Sequence, residues 1–458
     1  MAFTALLCIF LAIESRDFGT DLRVYRESVS AWSKGVNPYV VSYTDGLHFT
    51  YTPFALIVLW PLRLASFQIT EWVLRLCTIA ACSISTWLIL RAQGQKEAGA
   101  SWWRAIAWAS AALLILEPAR SGLTYGQVEA LLMLAILVDA LVIPAPYQGI
   151  VIGIVSAIKL TPLIFILFLL IRDWRSAMRA GASFVAMTAL AWLIWPKESR
   201  SFWLLDVFKP GRVGGVSYAG NQSWFGVIHR APFLHTSSVV PWLILCVMTV
   251  LIGTYVAWRS VQLGSSVHGL LAMALTGLLI SPISWTHHWL WVLLIPPVLV
   301  TDRRPMHPTL RVMLWALAGL AVLAPYWWFS SGAVAGVLND SLALLGFTSL
   351  SCWAVCLLDL GREQGVAVGV DHGSERPDQP LSRGGRRSHC PITQGTGSVI
   401  WSVTTEFSDA PQKLGLTVKP RTFGRFLRYV TGHESLLSCA SGCHRGTSQF
   451  SGGSGHPR

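Results

Sequence analysis

Apolar segments long enough to cross a lipid bilayer recur through most of this chain. A spanning helix needs about 20 mostly apolar residues. Backbone groups find no water inside lipid, so spanning segments must be helices or closed barrels, and segments of this length are typical of helices. The pattern therefore predicts an all-α integral membrane protein with about twelve spans. The segments lie near residues 1–13, 51–65, 70–91, 104–117, 127–143, 149–171, 176–196, 239–258, 267–283, 286–302, 309–325 and 333–358.

The composition excludes an ordinary soluble protein. Charged residues make up 13% of the chain and hydrophobic residues 53%, against a usual charged fraction of about 25%. The net charge of +12 is spread over loops and a tail, and no aromatic–basic platform lies outside the apolar segments. We expect membrane lipids, and no nucleic acid, as partners.

The character of the chain changes after Gly361. Residues 362–458 are rich in Gly, Ser and Arg and show no hydrophobic periodicity. This pattern predicts a transmembrane domain at 1–361 followed by a disordered cytoplasmic tail.

The cysteines predict neither a disulfide framework nor a metal site. Most of the nine lie inside apolar segments, where cysteine usually serves as a small core residue. Cys439, Cys443 and His444 have metal-like spacing but lack a second ligand pair. We expect no metal and no other cofactor.

Basic residues in short loops predict the orientation, since Lys and Arg favour the cytoplasmic side. Arginines cluster at 172–179 and 303–311. This assignment places both termini inside and leaves the loops 14–50 and 197–238 and the turn 283–288 outside. Those outer loops carry polar motifs, so we expect the chemistry on the extracytoplasmic face.

Asp21 begins a predicted short helix in the first outer loop. Leu22, Tyr25 and Val29 follow at spacings of three and four, which predicts a helix with an apolar stripe lying on the membrane. Asp21 fits the position of an N-cap. A carboxylate partly shielded from water is also suited to remove a proton from an acceptor hydroxyl. Asp17 is the competing candidate base.

Several polar residues stand within apolar segments, where they are costly unless they face protein or a water-filled cavity. Gln127 and Glu129 begin one segment, and Lys159 lies in the middle of the next. A lipid phosphate is a plausible partner for Lys159. Pro162 predicts a kink close to it.

The second long outer loop also carries candidate binding residues. Asn221 and Gln222 are suited to sugar hydroxyls, and Trp224 to stacking on a pyranose face. Arg230 follows as a candidate phosphate clamp.

His287 and His288 lie between the two following segments. Adjacent side chains point apart on a helix, so we do not expect them to share one metal ion. Anchoring at the membrane interface explains them equally well.

Short motifs from the outer loops and segment ends follow one another over residues 15–330. They are Thr20-Asp21-Leu22-Arg23-Val24-Tyr25, Gly35-Val36-Asn37-Pro38-Tyr39, Phe49-Thr50-Tyr51-Thr52-Pro53, Gly126-Gln127-Val128, Ile158-Lys159-Leu160-Thr161-Pro162, Gly220-Asn221-Gln222-Ser223 and Ser281-Pro282-Ile283-Ser284-Trp285-Thr286-His287-His288-Trp289. Together they resemble the bacterial GT-C membrane mannosyltransferases, glycosyltransferase family 87. Each motif alone is weak, but their shared order is specific.

The resemblance implies a fold and a reaction. The fold is a GT-C bundle of transmembrane helices with catalytic extracytoplasmic loops. The reaction transfers a mannosyl residue from a polyprenyl-phosphate donor to a lipid or lipoglycan acceptor, with inversion and an α-1,2 product, on the outer face of the plasma membrane. The resemblance implies no metal, and it supports Asp21 as the base.

The resemblance also implies site residues. Tyr25, Asn37 and Tyr51 join the substrate-binding candidates through their motifs, and the family's late histidine corresponds to His287 or His288. Glu129 stands where relatives often carry Asn, a departure that bears on acceptor contacts.

Two other classes of protein remain open at this point. A transporter or flippase of lipid-linked sugars also needs many spans and polar residues at membrane depth, although the chain lacks the internal repeat common in transporters. A non-catalytic scaffold of the same fold is the second. For an enzyme, mannose, another hexose and a pentose all remain possible donor sugars.

Overall fold

The computed structural model describes residues 19–371 except 96–97, 232–238, 305 and 329–332, and of residues 98, 333 and 360–371 it describes the backbone alone. The predicted first span at 1–13, Asp17 and the tail beyond residue 371 lie outside the described residues. The boundary at residue 361 stays a prediction. The last described helix runs through it.

The described residues form helices, and the only β pairing among them is two isolated bridges. The helices are α1 Thr20–Ser33, α2 Pro53–Leu59, α3 Phe67–Ala92, α4 Ala98–Ile115, α5 Glu117–Tyr125, α6 Glu129–Leu141, α7 Ile150–Ile158, α8 Ile164–Arg172 and α9 Trp174–Ile194. They continue with α10 Pro196–Ser201, α11 Trp224–Arg230, α12 Val239–Gln262, α13 Ser266–Ile280, α14 Ile295–Thr301, α15 Pro308–Leu323, α16 Ala333–Leu338 and α17 Ser341–Asp371. Short 3-10 segments include Trp60–Arg63, Thr161–Leu163, Thr286–Leu294 and Pro325–Trp327.

Membrane-spanning helices are present, which confirms the predicted all-helical membrane protein for the described residues. Five helices there are long and apolar enough to cross a bilayer, or six if α4 and α5, bent by 82°, count as one span. The five are Phe67–Ala92, Trp174–Ile194, Val239–Gln262, Pro308–Trp327 and Ser341–Asp359. Shorter apolar helices account for other predicted segments, so the count of about twelve spans stays a prediction.

Helix α1 carries the predicted apolar stripe. Leu22, Tyr25 and Val29 are buried in the core, and Gly35 ends the helix with a φ of 78°. The predicted cap was wrong. Gly19 is the N-cap residue, with a φ of 84°, and Asp21 lies inside the first turn without bonding the helix terminus. Its carboxylate is therefore free for other partners.

A break in the apolar segment at residues 149–171 places Lys159 in the interior. Helix α7 ends at Ile158, Lys159 is extended, and the 3-10 turn containing Pro162 follows. Thr52 covers the carbonyl groups freed by the break: its hydroxyl donates to Ala157 O, and its backbone N–H donates to Ile158 O at 3.4 Å. The break predicted from Pro162 is thus stabilised by the motif that begins α2.

Two glycines allow α1 to approach the turn after α5. Gly126, with a φ of 72°, ends α5, and a Cβ at this position would lie 2.9 Å from the Cβ of Leu22. The backbone N–H of Gly19 donates to Thr124 O at 2.9 Å. This contact brings Gln127 next to Asp21.

Candidate active site

A cavity of about 350 Å³, called here the main cavity, lies where several of the sequence motifs meet. Its lining comes from the start of α1, the 47–51 segment, the 125–127 turn, the 213–220 loop and the 285–288 segment, together with Lys159 and Trp327. Of the predicted site residues, the lining includes Asp21, Tyr25, Tyr51, Gln127, Lys159, His287 and His288. Motifs far apart in sequence therefore share one space.

Asp21 is held at the wall of the main cavity by a single described partner. The Nε2 group of the buried Gln127 donates to Asp21 Oδ2. The pKa of Asp21 is raised to about 6: loss of water around the carboxyl and, to a smaller extent, the nearby Glu129 raise it, and the Gln127 bond and Lys159 partly oppose this shift. A carboxylate with this pKa is a stronger base than an ordinary aspartate.

Two tyrosine hydroxyl groups continue from Gln127 into the interior. Tyr25 donates to Gln127 Oε1 at 2.9 Å, and its oxygen lies 2.9 Å from the hydroxyl oxygen of Tyr51. The Lys159 ammonium donates to the Tyr51 oxygen at 3.5 Å. Asp21 and Lys159 are therefore connected through side chains alone.

Lys159 belongs to a compact group of charged and titratable side chains. It forms an ion pair with Glu129, and its Nζ lies 3.2 Å from His288 Nε2. His288 Nε2 lies 3.3 Å from Glu129 Oε1. Glu129 Oε2 is buried without a hydrogen-bond partner among the described residues. Lys159 and His288 face the main cavity, and Glu129 lies behind them.

The structure gives different partners to the two histidines, which the sequence left as alternative site residues. His288 contacts Lys159 and Glu129. His287 packs edge-on against Tyr125 at 5.5 Å between ring centroids, and its Nε2 has no hydrogen-bond partner in the described part of the chain. His288 is thus placed beside the cation, and His287 beside an aromatic wall.

A divalent metal ion is the alternative use of this group. Glu129, His287 and His288 offer ligand atoms within 4.8 Å of one another. The argument that adjacent histidines point apart was wrong, because this segment is a 3-10 helix and the two ring centroids lie 4.7 Å apart. Lys159 already supplies a cation at this place. At 4 Å it would repel each unit of added positive charge by about 4 kcal/mol, so the donors fit a metal poorly while Lys159 is charged.

Asn221, Gln222 and Arg230 lie outside the main cavity lining. Asn221 and Gln222 are fully buried. Asn221 Nδ2 donates to Val216 O and Pro282 O. Its side-chain oxygen accepts from Ser284 N at 2.9 Å, and Gln222 N donates to Ser284 O at 2.7 Å. The structure therefore gives the two amides a role in holding the 281–288 segment, where direct sugar contact was predicted.

Arg230 is likewise used within the protein. It forms a buried ion pair with Asp340 at 2.5 Å and donates to the carbonyl oxygens of Tyr218 and Asn221. A phosphate clamp needs free donors, so the structure places Arg230 in a structural anchor.

Asn37 also lies away from the main cavity lining. Its Nδ2 donates to Ser201 Oγ at 2.8 Å, and its oxygen accepts from the backbone N–H of Tyr39. It fixes the turn after α1.

The aromatic faces of the main cavity come from residues that sequence reasoning missed. Tyr218 packs near Trp285 and Trp327, with ring centroids 6.1 and 5.5 Å away. The stacking predicted for Trp224 was wrong, because that ring is buried and its Nε1 donates to Thr249.

Glu117 is a second residue that the sequence did not single out. Its buried carboxylate accepts from Thr286 Oγ1 at 3.0 Å and from Tyr326 OH at 2.7 Å. It thereby fixes the residue before the two histidines. An acidic residue followed by Pro118 at the end of an apolar segment was the available signal.

A second space of about 190 Å³, called here the side cavity, adjoins the main cavity. Both are lined by Tyr51, Lys159 and His288. Phe202 and Ile283 give the side cavity an apolar wall, and Asp206, Lys209 and Arg212 add charged groups to its lining. Lys159 therefore stands at the boundary between the two cavities.

These features define a membrane protein that brings a raised-pKa carboxylate and a half-buried lysine to one cavity, a combination suited to group transfer between lipid-linked molecules. Residues 49–282 match the model of glycosyltransferase family 87. The chain belongs to this family, which confirms the resemblance and the predicted enzyme class. Family membership does not favour the transporter.

Curated mycobacterial proteins are similar to the chain over most of its length. One is the polyprenol-phosphate-mannose-dependent alpha-(1-2)-phosphatidylinositol pentamannoside mannosyltransferase of Mycobacterium tuberculosis, 31% identical over 70% of this chain and 75% of the relative. Another is the polyprenol-phosphate-mannose-dependent alpha-(1-2)-phosphatidylinositol mannoside mannosyltransferase of Mycolicibacterium smegmatis, 30% identical over 80% of this chain and 89% of the relative.

Proposed function

We propose that this chain transfers a mannosyl residue from a polyprenyl-phosphate donor to a glycolipid or lipoglycan acceptor, with inversion and without a metal ion. One observation carries the proposal: Asp21 and Lys159 line the same cavity. The named donor of the mycobacterial relatives supports the choice of sugar and carrier. Their named acceptors support a phosphatidylinositol mannoside or a similar lipid.

Asp21 acts as the general base in this proposal. Oδ2 is held by Gln127, and Oδ1 has no hydrogen-bond partner among the described residues. The acceptor hydroxyl donates its proton to Oδ1 as its oxygen attacks the anomeric carbon. A carboxylate with a pKa of about 6 is ionised at neutral pH and retains useful basicity.

Lys159 stabilises the leaving phosphate. When the bond between the anomeric carbon and the phosphate oxygen breaks, the electron pair stays on the prenyl phosphate, which gains a negative charge. The ammonium faces this position from the wall shared by the two cavities. A positioned donor of this kind typically contributes a factor of about 10²–10³ in rate.

The two cavities suit the two ends of such a donor. The sugar lies in the main cavity between Asp21 and the aromatic faces of Tyr218 and Trp285. The phosphate lies at Lys159 and His288, and the first isoprene units follow the apolar wall of the side cavity. Inversion then requires the acceptor to approach from the side of Asp21, opposite the phosphate.

Orientation and overall architecture complete the proposal. The basic loops support an active site on the extracytoplasmic face of the plasma membrane. Family membership supports a GT-C bundle, and the shorter apolar helices leave room for about twelve spans.

Transfer of label in membranes tests the proposal. Membranes containing wild-type or Asp21→Asn protein receive radiolabelled polyprenyl-phosphate mannose and a native lipid extract. We expect a labelled glycolipid with the wild type and almost none with the variant. Equal transfer by both proteins would remove Asp21 as the base and direct attention to Asp17. Label that crosses vesicle membranes without joining an acceptor would instead support a transporter.

A further inference from the structure

The hydrogen bonds between Lys159 and Asp21 have a fixed direction. An ammonium has only donors, so the Tyr51 oxygen accepts from Lys159. An ionised carboxylate has only acceptors, so Gln127 must present its NH₂ group to Asp21. Its Oε1 then faces the tyrosines and accepts from Tyr25 at 2.9 Å.

The middle of the array follows from these two ends. Tyr25 donates its only hydroxyl proton to Gln127. Tyr51 must therefore be the donor in the contact of 2.9 Å between the two hydroxyl oxygens. Tyr51 also lies 3.3 Å from Gln127 Oε1. Burial raises the pKa of Tyr25 well above its usual range, so this hydroxyl stays protonated and remains a donor. Every donor in the array therefore points from Lys159 toward Asp21.

We propose that Tyr25, Tyr51 and Gln127 form a one-way hydrogen-bond array that aims Asp21 at the acceptor and links the base to the phosphate-binding cation. The inference rests on the proposed function and assigns a new role to residues expected to bind substrate. They are positioning residues. Their polar groups are turned toward one another, and they act through Asp21.

The array explains how one oxygen of Asp21 stays free. Fixing the Gln127 amide at both ends prevents its rotation, so Oδ2 is always occupied and Oδ1 faces the cavity. Bonds in such a series also polarise one another, which strengthens the N–H bond to the carboxylate. A donor phosphate that draws Lys159 toward itself acts on the same series.

The acid limb of the pH profile reports on this array. Asp21 must be ionised to act as a base, so the rate falls as the pH drops through its pKa, which is about 6. The other charged or titratable groups that face it or line the same cavity are Glu129, Lys159, His48, His287 and His288 together with the tyrosines at 25, 51, 125 and 218. A Tyr→Phe change leaves all the charges in place. A shift of the acid limb in such a variant therefore reports the loss of the hydrogen bonds alone.

The test measures transfer against pH in membranes containing wild-type, Tyr25→Phe, Tyr51→Phe and doubly substituted protein. In Tyr25→Phe, Gln127 keeps only the longer contact of 3.3 Å from Tyr51, so its orientation is held less firmly and the bond that stabilises the charged base weakens. We expect kcat to fall roughly tenfold with the donor KM unchanged, and the acid limb to move up by roughly half a unit to one unit. Tyr51→Phe should move the limb less, because Tyr25 still holds Gln127.

The double variant should cost little more than Tyr25→Phe alone, because residues of one array are not additive. Tyr43→Phe is the matched control: its hydroxyl donates to Pro38 O at 3.0 Å, away from the cavity. It should behave as the wild type, and size-exclusion chromatography of each variant checks that it is folded.

Three outcomes would overturn the inference. A raised donor KM with an unmoved limb would mean that the hydroxyls hold the sugar directly. A lowered kcat with an unmoved limb would mean that they only support packing, and additive losses would mean that they act independently. Failure of the proposed function is distinct, since wild-type protein would then transfer no label.

Discussion

The polar residues around Asp21 and those around Arg230 look alike in sequence but differ in their partners. Both groups lie in loop motifs that were predicted to be extracytoplasmic and to touch substrate. Asp21 has one described partner and an open side toward a cavity. Arg230 is bound to Asp340 and to two carbonyl oxygens. The comparison teaches that the sequence identifies a polar side chain as a candidate. Whether that side chain can bind a substrate depends on how many of its polar atoms already bond within the protein.

The strongest test exchanges one carboxylate for an amide in each group. Asp21→Asn should lower transfer by about 10²–10⁴ because the base is lost. Its stability should hold or rise, since a pKa raised to about 6 means that folding disfavours the ionised form at neutral pH. Asp340→Asn should instead cost about 3–5 kcal/mol of unfolding free energy by leaving Arg230 buried and unpaired. Transfer per folded molecule and thermal unfolding in detergent measure the two effects.

The comparison breaks if folded Asp340→Asn protein is as inactive as Asp21→Asn. Arg230 would then contribute to the reaction, although its donors bond within the protein.

The cations give the second test. Lys159→Met should lower kcat by about 10²–10³ through loss of charge stabilisation on the leaving phosphate. Glu129 then loses its partner, so Lys159→Met/Glu129→Gln is the matched variant that keeps the site neutral. Arg230→Met should reduce stability and leave kcat intact. Recovery of full activity in the neutral double variant would show that Lys159 only balances Glu129.

The sequence predicted the all-helical membrane class and part of the cavity lining for physical reasons. Polar residues in lipid need a partner, so Gln127 and Lys159 were expected to face the protein interior or a cavity. The break at Lys159 followed from Pro162. These constraints are local, so a single sequence is enough to predict them.

What the sequence could not supply were contacts between distant segments. Asn221 binds the 281–288 segment, and Glu117 binds Thr286, 169 positions away. The sequence around either residue does not show that its polar atoms bond to a distant segment. The expected cap at Asp21 failed for a similar reason, because the helix begins two residues earlier, at Gly19, which contacts Thr124.

Close packing of α1 against the 124–127 turn gives a third test. Gly126→Ala places a Cβ 2.9 Å from that of Leu22 and should move Asp21 away from Gln127. A misplacement near 1 Å can cost roughly 10²-fold in rate, so we expect a loss approaching this value. Gly35→Ala is the matched control, because it has a similar φ of 78° but open space around its Cβ. It should lose stability by about 1–2 kcal/mol and keep its activity. Equal losses of activity in both variants would point to backbone strain as the cause.

The smallest expected effect concerns the charge balance within the cavity group. Glu129 raises the pKa of Asp21 and Lys159 lowers it. Glu129→Gln removes the opposing charge and frees Lys159, and both changes favour the ionised base. The acid limb of the pH profile should therefore move to lower pH, opposite in direction to Tyr25→Phe. Lys159 loses its ion pair with Glu129 in this variant, so the exchange should also lower stability. A limb that moves up instead would mean that Glu129 acts on Asp21 by holding Lys159 in place, and that the geometry of the pair outweighs its charge.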